Sequence, residues 1–511
     1  SVVLLCSGFA LYSFFRLSAA EGQKDFNLYE LVPSTTSAVF VTDDVLEFVA
    51  EVDELTCSKN QQYLYVSKLF SYLKQSLYAL SEDTPHGLSR QMNQMLISFH
   101  EPDNERNQVL YCRLGNGDKE LVNRFVRKYI SSLYPPKTFI YKGEEIIIYP
   151  MADGDFLACY LTSDFMALSF QKKLIENVID AYKSGKSLAD DSTFTGIRAP
   201  KKSAAAATIY TRMQGMMGWT EFDMKMKDDF IYFSGITHDA DTCFAFINQL
   251  RQQQSVKGFP GEVLPSTAFY FSRQGITDWV SLLSYGNAQG QSVPARTSEV
   301  QNRDKEFSRY LMENAGQDLV ACLFQREDTL QDAAAVLSLS VADVTEAERM
   351  LRALVNAASA DEGRRNPRIT FCYTVNKAYP IYRLPQTTLF EQLTSFAEPT
   401  LDVYAAFYGG RLLLAPDADA LAHYIRQLDK GEVLNGAMAY QTGMDHLSDS
   451  YHFMLMVDFD HIFQQSENHV RFVPDFFLRN ADFFRHFTLF VQFACADGMV
   501  YPTIVLKYKS E

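Results

Sequence analysis

Residues 95–133 align with residues 320–358 without a gap, and this internal match constrains the fold more than any other feature of the chain. Each copy opens on a short apolar run, Met95-Leu96-Ile97-Ser98-Phe99 and Val320-Ala321-Cys322-Leu323-Phe324. A second run follows, Leu110-Tyr111-Cys112-Arg113-Leu114 and Ala335-Val336-Leu337-Ser338-Leu339. Apolar runs of this length predict strands. Asp118 and Asp343 then stand at the expected N-cap of a helix, where a short carboxylate accepts hydrogen bonds from free backbone N–H groups. Val122, Phe125, Val126, Tyr129, Ile130 and Leu133 recur with the 3.6-residue period of a helix. Ala347, Met350, Leu351, Leu354, Val355 and Ala358 repeat that stripe.

The correspondence extends outward. Val32-Pro33-Ser34-Thr35 leads into Ala38-Val39-Phe40-Val41, as Leu264-Pro265-Ser266-Thr267 leads into Ala268-Phe269-Tyr270-Phe271. Thr138-Phe139-Ile140-Tyr141 matches Thr370-Phe371-Cys372-Tyr373, Ile148-Tyr149 matches Ile381-Tyr382, and 155–161 matches 402–408. Each copy then carries a helix ending at Gly185 or Gly431. Each closes on a hairpin, turning at Asp228-Asp229 before Phe230-Ile231-Tyr232 and at Asp497-Gly498 before Met499-Val500-Tyr501. Any one match is weak, but chance does not preserve the ordered series. The expected fold is therefore α+β: two tandem related halves, each of mainly antiparallel sheet with packed helices, at 27–240 and 258–511. A helical linker, 241–257, joins them, and Gly258, Pro260 and Gly261 mark the boundary. Strict βαβ alternation is absent, which argues against a doubly wound sheet.

Residues 2–15 are apolar except for Ser7, Gly8 and Ser13; Arg16 ends the run and Ser18-Ala19-Ala20 follows. Residues 1–20 are read as a membrane anchor or signal segment. An anchor would be the C-terminal part of a helix that needs about 20 apolar residues to span. A signal peptide would be cleaved near Ala20, a reading that Arg16 weakens. A buried helix is the third alternative. Cys6 follows the bulky Leu5 and sits within the apolar run, so lipidation is not expected. Either export reading places 21–511 outside the cytoplasm. Seven of the eight cysteines fall there: Cys57, Cys112, Cys159, Cys243, Cys322, Cys372 and Cys495. Their odd number and the lack of a CxxC pair argue against a disulfide framework or a zinc knuckle. Buried free thiols are expected, with one or two disulfides left open.

A phosphate backbone calls for a basic surface, which a formal net charge of −15 disfavours, so nucleic acid is not an expected partner. No cofactor is expected. Ser184-Gly185-Lys186-Ser187 has Asp180 where a phosphate loop needs glycine, and its Gly185 ends a helix instead of opening one. His446, His452, His461 and His469 cluster with Asp445, Asp458 and Asp460, but no HExxH or facial-triad spacing appears and no metal site is expected. No GxSxG elbow is present. If the chain is an enzyme, Asp458, Asp460 and His461 are the candidates, and they must then converge in one pocket with perturbed environments. The Met-rich stretch 212–219 is read as irregular core packing before a partner surface. The basic stretch 363–368 is read as a solvated connection. With 39 Phe, 28 Tyr and 16 Met, a carrier of an apolar ligand stays open, as does a glycan ligand, although two Trp are too few for a Trp-lined sugar platform.

The apolar N-terminal segment, the Leu31-Val32-Pro33 turn into a short strand and the duplicated α+β halves together resemble uncharacterised bacterial envelope proteins of the domain-of-unknown-function class. That resemblance implies residence on the periplasmic side of the inner membrane, and it supplies no active-site residues. The function expected from the sequence is a membrane-anchored extracytoplasmic scaffold or binding protein whose two halves engage an envelope protein partner. An envelope hydrolase with its site in the second half is the alternative.

Overall fold

The structure, a computed structural model, describes residues 26–60, 94–101, 106–115, 118–125, 134–151, 154–198, 205–212, 218–237, 245–283, 297–326, 333–361, 369–375, 377–394, 400–465 and 473–509. The N-terminal segment 1–20, Cys6, Cys243, His469, residues 213–217 of the Met-rich stretch and the basic stretch 363–368 lie outside the described residues. Among the described residues no helix is long and apolar enough to cross a membrane. The chain divides into two units. The first holds the described residues of 1–49, 65–202 and 207–211, and the second those of 50–64, 203–206 and 212–511.

In the first unit the strands are Ala38–Thr42 (β1), Met95–Phe99 (β2), Gln108–Arg113 (β3), Lys137–Tyr141 (β4), Glu144–Pro150 (β5), Phe156–Leu161 (β6), Phe165–Ser169 (β7) and Ala207–Thr211 (β8). They pair antiparallel in the order β8-β1-β2-β3-β7-β6-β5-β4. In β3, Val109, Leu110, Tyr111 and Cys112 are all buried. A strand covered on both faces reads as an unbroken apolar run, which explains the missing alternation. The helix Lys172–Ser184 buries Leu174, Ile175, Val178 and Ile179 and turns Lys172 and Lys173 outward. It ends where Gly185 takes the left-handed conformation, at φ 63°, and donates its N–H to the Ala181 carbonyl. Glycine alone enters that region without a Cβ clash, which gives Gly185 a structural role.

In the second unit the strands are Thr220–Lys227 (β9), Phe230–Thr237 (β10), Val256–Lys257 (β11), Ala268–Gly275 (β12), Ala315–Gln325 (β13), Ala333–Val341 (β14), Ile369–Tyr373 (β15), Ala378–Arg383 (β16), Tyr404–Tyr408 (β17), Arg411–Ala415 (β18), Ser450–Tyr451 (β19), Phe453–Asp458 (β20), Phe487–Ala496 (β21) and Met499–Tyr508 (β22). The main ladder runs β9-β10-β22-β21-β20-β12-β13-β14-β18-β17-β16-β15, all antiparallel. The short β11 and β19 pair separately. Two cores form on the two faces of this ladder. Leu319, Ala321 and Leu323 of β13 pack with Phe307, Leu311, Leu351 and Val355 from two helices, Ser298–Asn314 and Val344–Asp361. The alternate residues Val320, Cys322 and Phe324 pack with Leu421, Tyr424 and Ile425 of the helix Ala418–Asp429. Period-2 alternation is thus present in space but hidden in the sequence, because both faces are apolar. Asp318 is buried and paired with Arg273 at 2.9 Å and Arg411 at 3.2 Å, as a buried charge must be.

Asp228, at φ 50°, and Asp497-Gly498, at φ 52° and 76°, form the tight turns expected from those residues. The partner of the first hairpin was not evident from the sequence. Phe230–Thr237, placed by the sequence reading in the first half, pairs with β22 from Phe230↔Lys507 to Thr237↔Val500 and so belongs to the second unit. The described part of the expected linker, with the helix Ala245–Arg251 and β11, belongs to that unit as well. The matched tetrapeptides in β4 and β15 also differ in facing. Phe139 lies under Lys172 at 4.8 Å and Tyr141 donates to Asp180 at 3.1 Å, so both face the helix Lys172–Ser184. In β15 it is Cys372 that faces a helix, through the Ala422 carbonyl, while Phe371 and Tyr373 turn outward. A one-residue change of register swaps the faces of a strand. Cys57, Cys112, Cys159, Cys322 and Cys372 are buried free thiols, and Cys495 is a half-buried one.

Candidate functional site

Asp458 ends β20 and caps the short helix Phe459–Phe463. Its backbone is extended, at φ −86° and ψ 105°, which aims the carboxylate back over the first helical turn. Oδ1 accepts the N–H groups of Asp460, at 3.1 Å, and His461, at 3.4 Å. It also accepts from Lys509 Nζ at 2.7 Å. His461 Nδ1 lies 3.4 Å from the same oxygen, a contact closer to an ion pair than to an aligned hydrogen bond. Burial alone would raise the Asp458 carboxyl, but the His461 imidazole and the Lys509 ammonium together hold it below the usual carboxylate range. The same contact with Asp458 raises His461, against the opposing effect of burial. The His461 ring stacks on Phe269, with centroids 6.1 Å apart and planes at 12°.

Asp458, His461 and Phe269 border a cavity of about 170 Å³. Its polar side is made by Ser266, Thr267, Asp458, His461 and Thr488; Phe269, Leu434, Tyr440, Met456 and Phe490 form an apolar wall. β12 and β20 are neighbours in the ladder and β21 lies beyond β20, which is how residues more than two hundred positions apart in sequence meet here. Thr267 Oγ1 is engaged, 2.9 Å from the Gln325 carbonyl and 3.0 Å from Gln427 Oε1.

The three sequence candidates do not act as one group. Asp458 and His461 line the cavity, whereas Asp460 turns along its own helix and accepts from Gln464 at 3.1 Å. The remaining histidines disperse. His446 sits edge-on to Phe230 and Tyr232, and His452 Nδ1 accepts the Cys495 N–H at 3.1 Å. Among the described residues no group of His, Cys, Asp or Glu is arranged to hold a metal ion. Chemically, a His–Asp pair facing a cavity can serve as a base through the free imidazole nitrogen. Among the described residues, however, no hydrogen bond joins His461 to the Ser266 or Thr488 hydroxyl, the link that an activated nucleophile requires. Ser266, Thr488 and Tyr440 were missed as lining residues. Only Ser266 and Thr267 carried a sequence signal, as part of the repeated Pro-Ser-Thr turn. Compared with protein-family models, with curated proteins and with solved structures, the chain matches none.

Proposed function

We propose that the chain is a non-enzymatic, membrane-anchored extracytoplasmic scaffold or binding protein, built from one α+β unit used twice, whose two related halves engage an envelope protein partner. The observation that carries this reading is the strand succession. The first unit runs β8-β1-β2-β3-β7-β6-β5-β4 and the second contains β20-β12-β13-β14-β18-β17-β16-β15, the same path taken by the chain. The backbone around the two Pro-Ser-Thr turns supports it further. Pro33 bridges Ser187, Ser34 donates to the Lys186 carbonyl and Leu188 to that of Val32. Pro265 bridges Val433, Ser266 donates to Glu432 and Leu434 to Leu264.

A unit present twice offers like surfaces twice on one chain, which raises the avidity for a partner without new chemistry. Anchoring and export rest on the apolar run 2–15. The role of Asp458 as a helix cap gives that carboxylate a structural use. The test is an affinity pull-down of the full chain, extracted from membranes in detergent, with mass spectrometry of bound proteins and small molecules. Stoichiometric recovery of an envelope protein supports the scaffold. A chain recovered alone, or with only a lipid or glycan, overturns it.

A hydrolase reading is favoured by one observation, that Asp458 and His461 share a cavity wall with Ser266 and Thr488. Turnover of an ester, phosphoester or glycoside substrate by the full chain, abolished by His461→Ala, would establish it. No turnover by the unmodified chain removes it. A carrier of an apolar ligand gains no support from this cavity, which is partly polar and smaller than the roughly 300–1,000 Å³ of drug-sized sites.

A further inference from the structure

One of the two end strands of the second unit's ladder is β15, Ile369–Tyr373, which pairs on one side with β16. Among the described residues no strand lies on its other side. The free edge of a strand presents a row of backbone donors and acceptors, and only another extended strand satisfies them as a row. Soluble proteins blunt such edges with lysine, proline or a bulge. The strand Ile-Thr-Phe-Cys-Tyr has none of these and carries no charge. Its outward face is also apolar: Ile369 is 37% exposed, Phe371 53% and Tyr373 72%, and the rings of Phe371 and Tyr373 lie 6.3 Å apart.

The matching end strand of the first unit, β4, is guarded differently. β4 begins at Lys137, is followed by Lys142 in its turn, and has Lys172 held over the Phe139 ring at 4.8 Å. β4 thus has a cation within the strand and another over its face, whereas β15 has none within it and Lys377 stands only in the turn that follows.

We propose that β15 is an interaction surface for a second copy of this chain, joined edge to edge by antiparallel pairing of β15 with itself about Phe371. This goes beyond the scaffold reading and does not depend on the envelope partner. The strand complements itself. Centred on Phe371, the pairing sets Phe371 opposite its symmetry mate, Ile369 opposite Tyr373 and Thr370 opposite Cys372, with no like charges opposed. The outward face then gathers an Ile, a Phe and a Tyr from each copy into one apolar cluster. The arrangement is isologous and closes at two copies, the commonest symmetry of soluble oligomers. It therefore ends in a dimer and does not propagate as a fibre.

The test is sedimentation equilibrium of the full chain in detergent, up to about 100 µM, a range suited to micromolar association. The expected result is a concentration-dependent dimer, weakened about tenfold or more by Phe371→Lys, which opposes two cations at the two-fold axis. Ile140→Lys, at the guarded edge, leaves the dimer unchanged. Because Phe371 is half-exposed, Phe371→Lys should fold, as shown by an unchanged melting curve. If it does not, Tyr373→Lys at the more exposed position decides the question by the same measure. Phe371→Cys should give a disulfide-linked dimer under oxidation, since the two thiols face each other across the two-fold axis and a small strand shift brings them within bonding range. A monomer over the whole range overturns the proposal, as does a dimer that neither lysine variant weakens.

Discussion

Replacing Asp458 with alanine isolates the structural role of the residue that most resembles a catalytic one. Its carboxylate accepts two backbone N–H groups of the first helical turn and the Lys509 ammonium at 2.7 Å, and it sits 3.4 Å from His461 Nδ1. Loss of an N-cap costs about 1 kcal/mol. A hydrogen bond to a charged group contributes about 1.5–3 kcal/mol when sheltered. The Lys509 side chain is 29% exposed and can turn to solvent, so about 1 kcal/mol is the appropriate share. Asp458→Ala should therefore destabilise the fold by about 2 kcal/mol, or about 3 °C in Tm for a unit of about 320 residues. Asp458→Asn keeps the cap acceptor and should cost about half as much. Urea and thermal unfolding of the three proteins measure the differences. If Asp458→Ala unfolds within about 0.5 kcal/mol of the unmodified chain, the cap argument is wrong.

The same pair sets a pH dependence. Asp458 is lowered from 3.8, so its contribution is present above that value and is lost as pH falls through the folded value. His461 is raised from 6.5, so its contribution is complete below 6.5 and is lost as pH rises through the folded value. Stability measured from pH 3 to 9 should thus carry an alkaline decline that His461→Ala removes; an unchanged decline contradicts the pairing. Gly275→Ala places a Cβ 2.0 Å from the Gln254 carbonyl oxygen, a backbone atom that cannot swing aside, and should cost more than about 2 kcal/mol in urea titration. Gly431→Ala, in open space at φ 75°, should cost only about 1–2 kcal/mol. Burial pushes the Cys112 and Cys159 thiols up to about 12 and the half-buried Cys495 to about 11. Maleimide should accordingly modify Cys495 first and reach the other two only on unfolding, an order that peptide mapping checks.

Local signals were legible where local chemistry dictates the structure. Asp228, Asp497 and Gly498 turn where they do because they tolerate positive φ, and Gly185 ends its helix for the same reason. The apolar runs around Cys112 and Cys322 identified strands, although burial on both faces removed the alternation that would have assigned their sides. What depended on distant pairing was not legible. No periodicity in Phe230–Thr237 announces that its partner is β22. The like-sounding Thr-Phe-Ile-Tyr and Thr-Phe-Cys-Tyr hide a one-residue difference in facing, which turns Phe371 outward and sets Phe139 under Lys172. Asp458 and His461 were singled out by residue type, but their cavity is closed by Ser266 and Thr488 through β12 and β21, which only the ladder order brings near.

Paired-cysteine cross-linking tests the central claim, that one α+β unit is used twice, most directly. In the first unit Phe40 faces Ile209 across β1 and β8; in the second Ser272 faces Leu455 across β12 and β20. Each pair joins the strand after a Pro-Ser-Thr turn to the late strand that returns beside it, the step that defines the shared path. The account predicts that Phe40→Cys with Ile209→Cys, and Ser272→Cys with Leu455→Cys, both form disulfides within one chain on oxidation. A link in one unit without the other would contradict it.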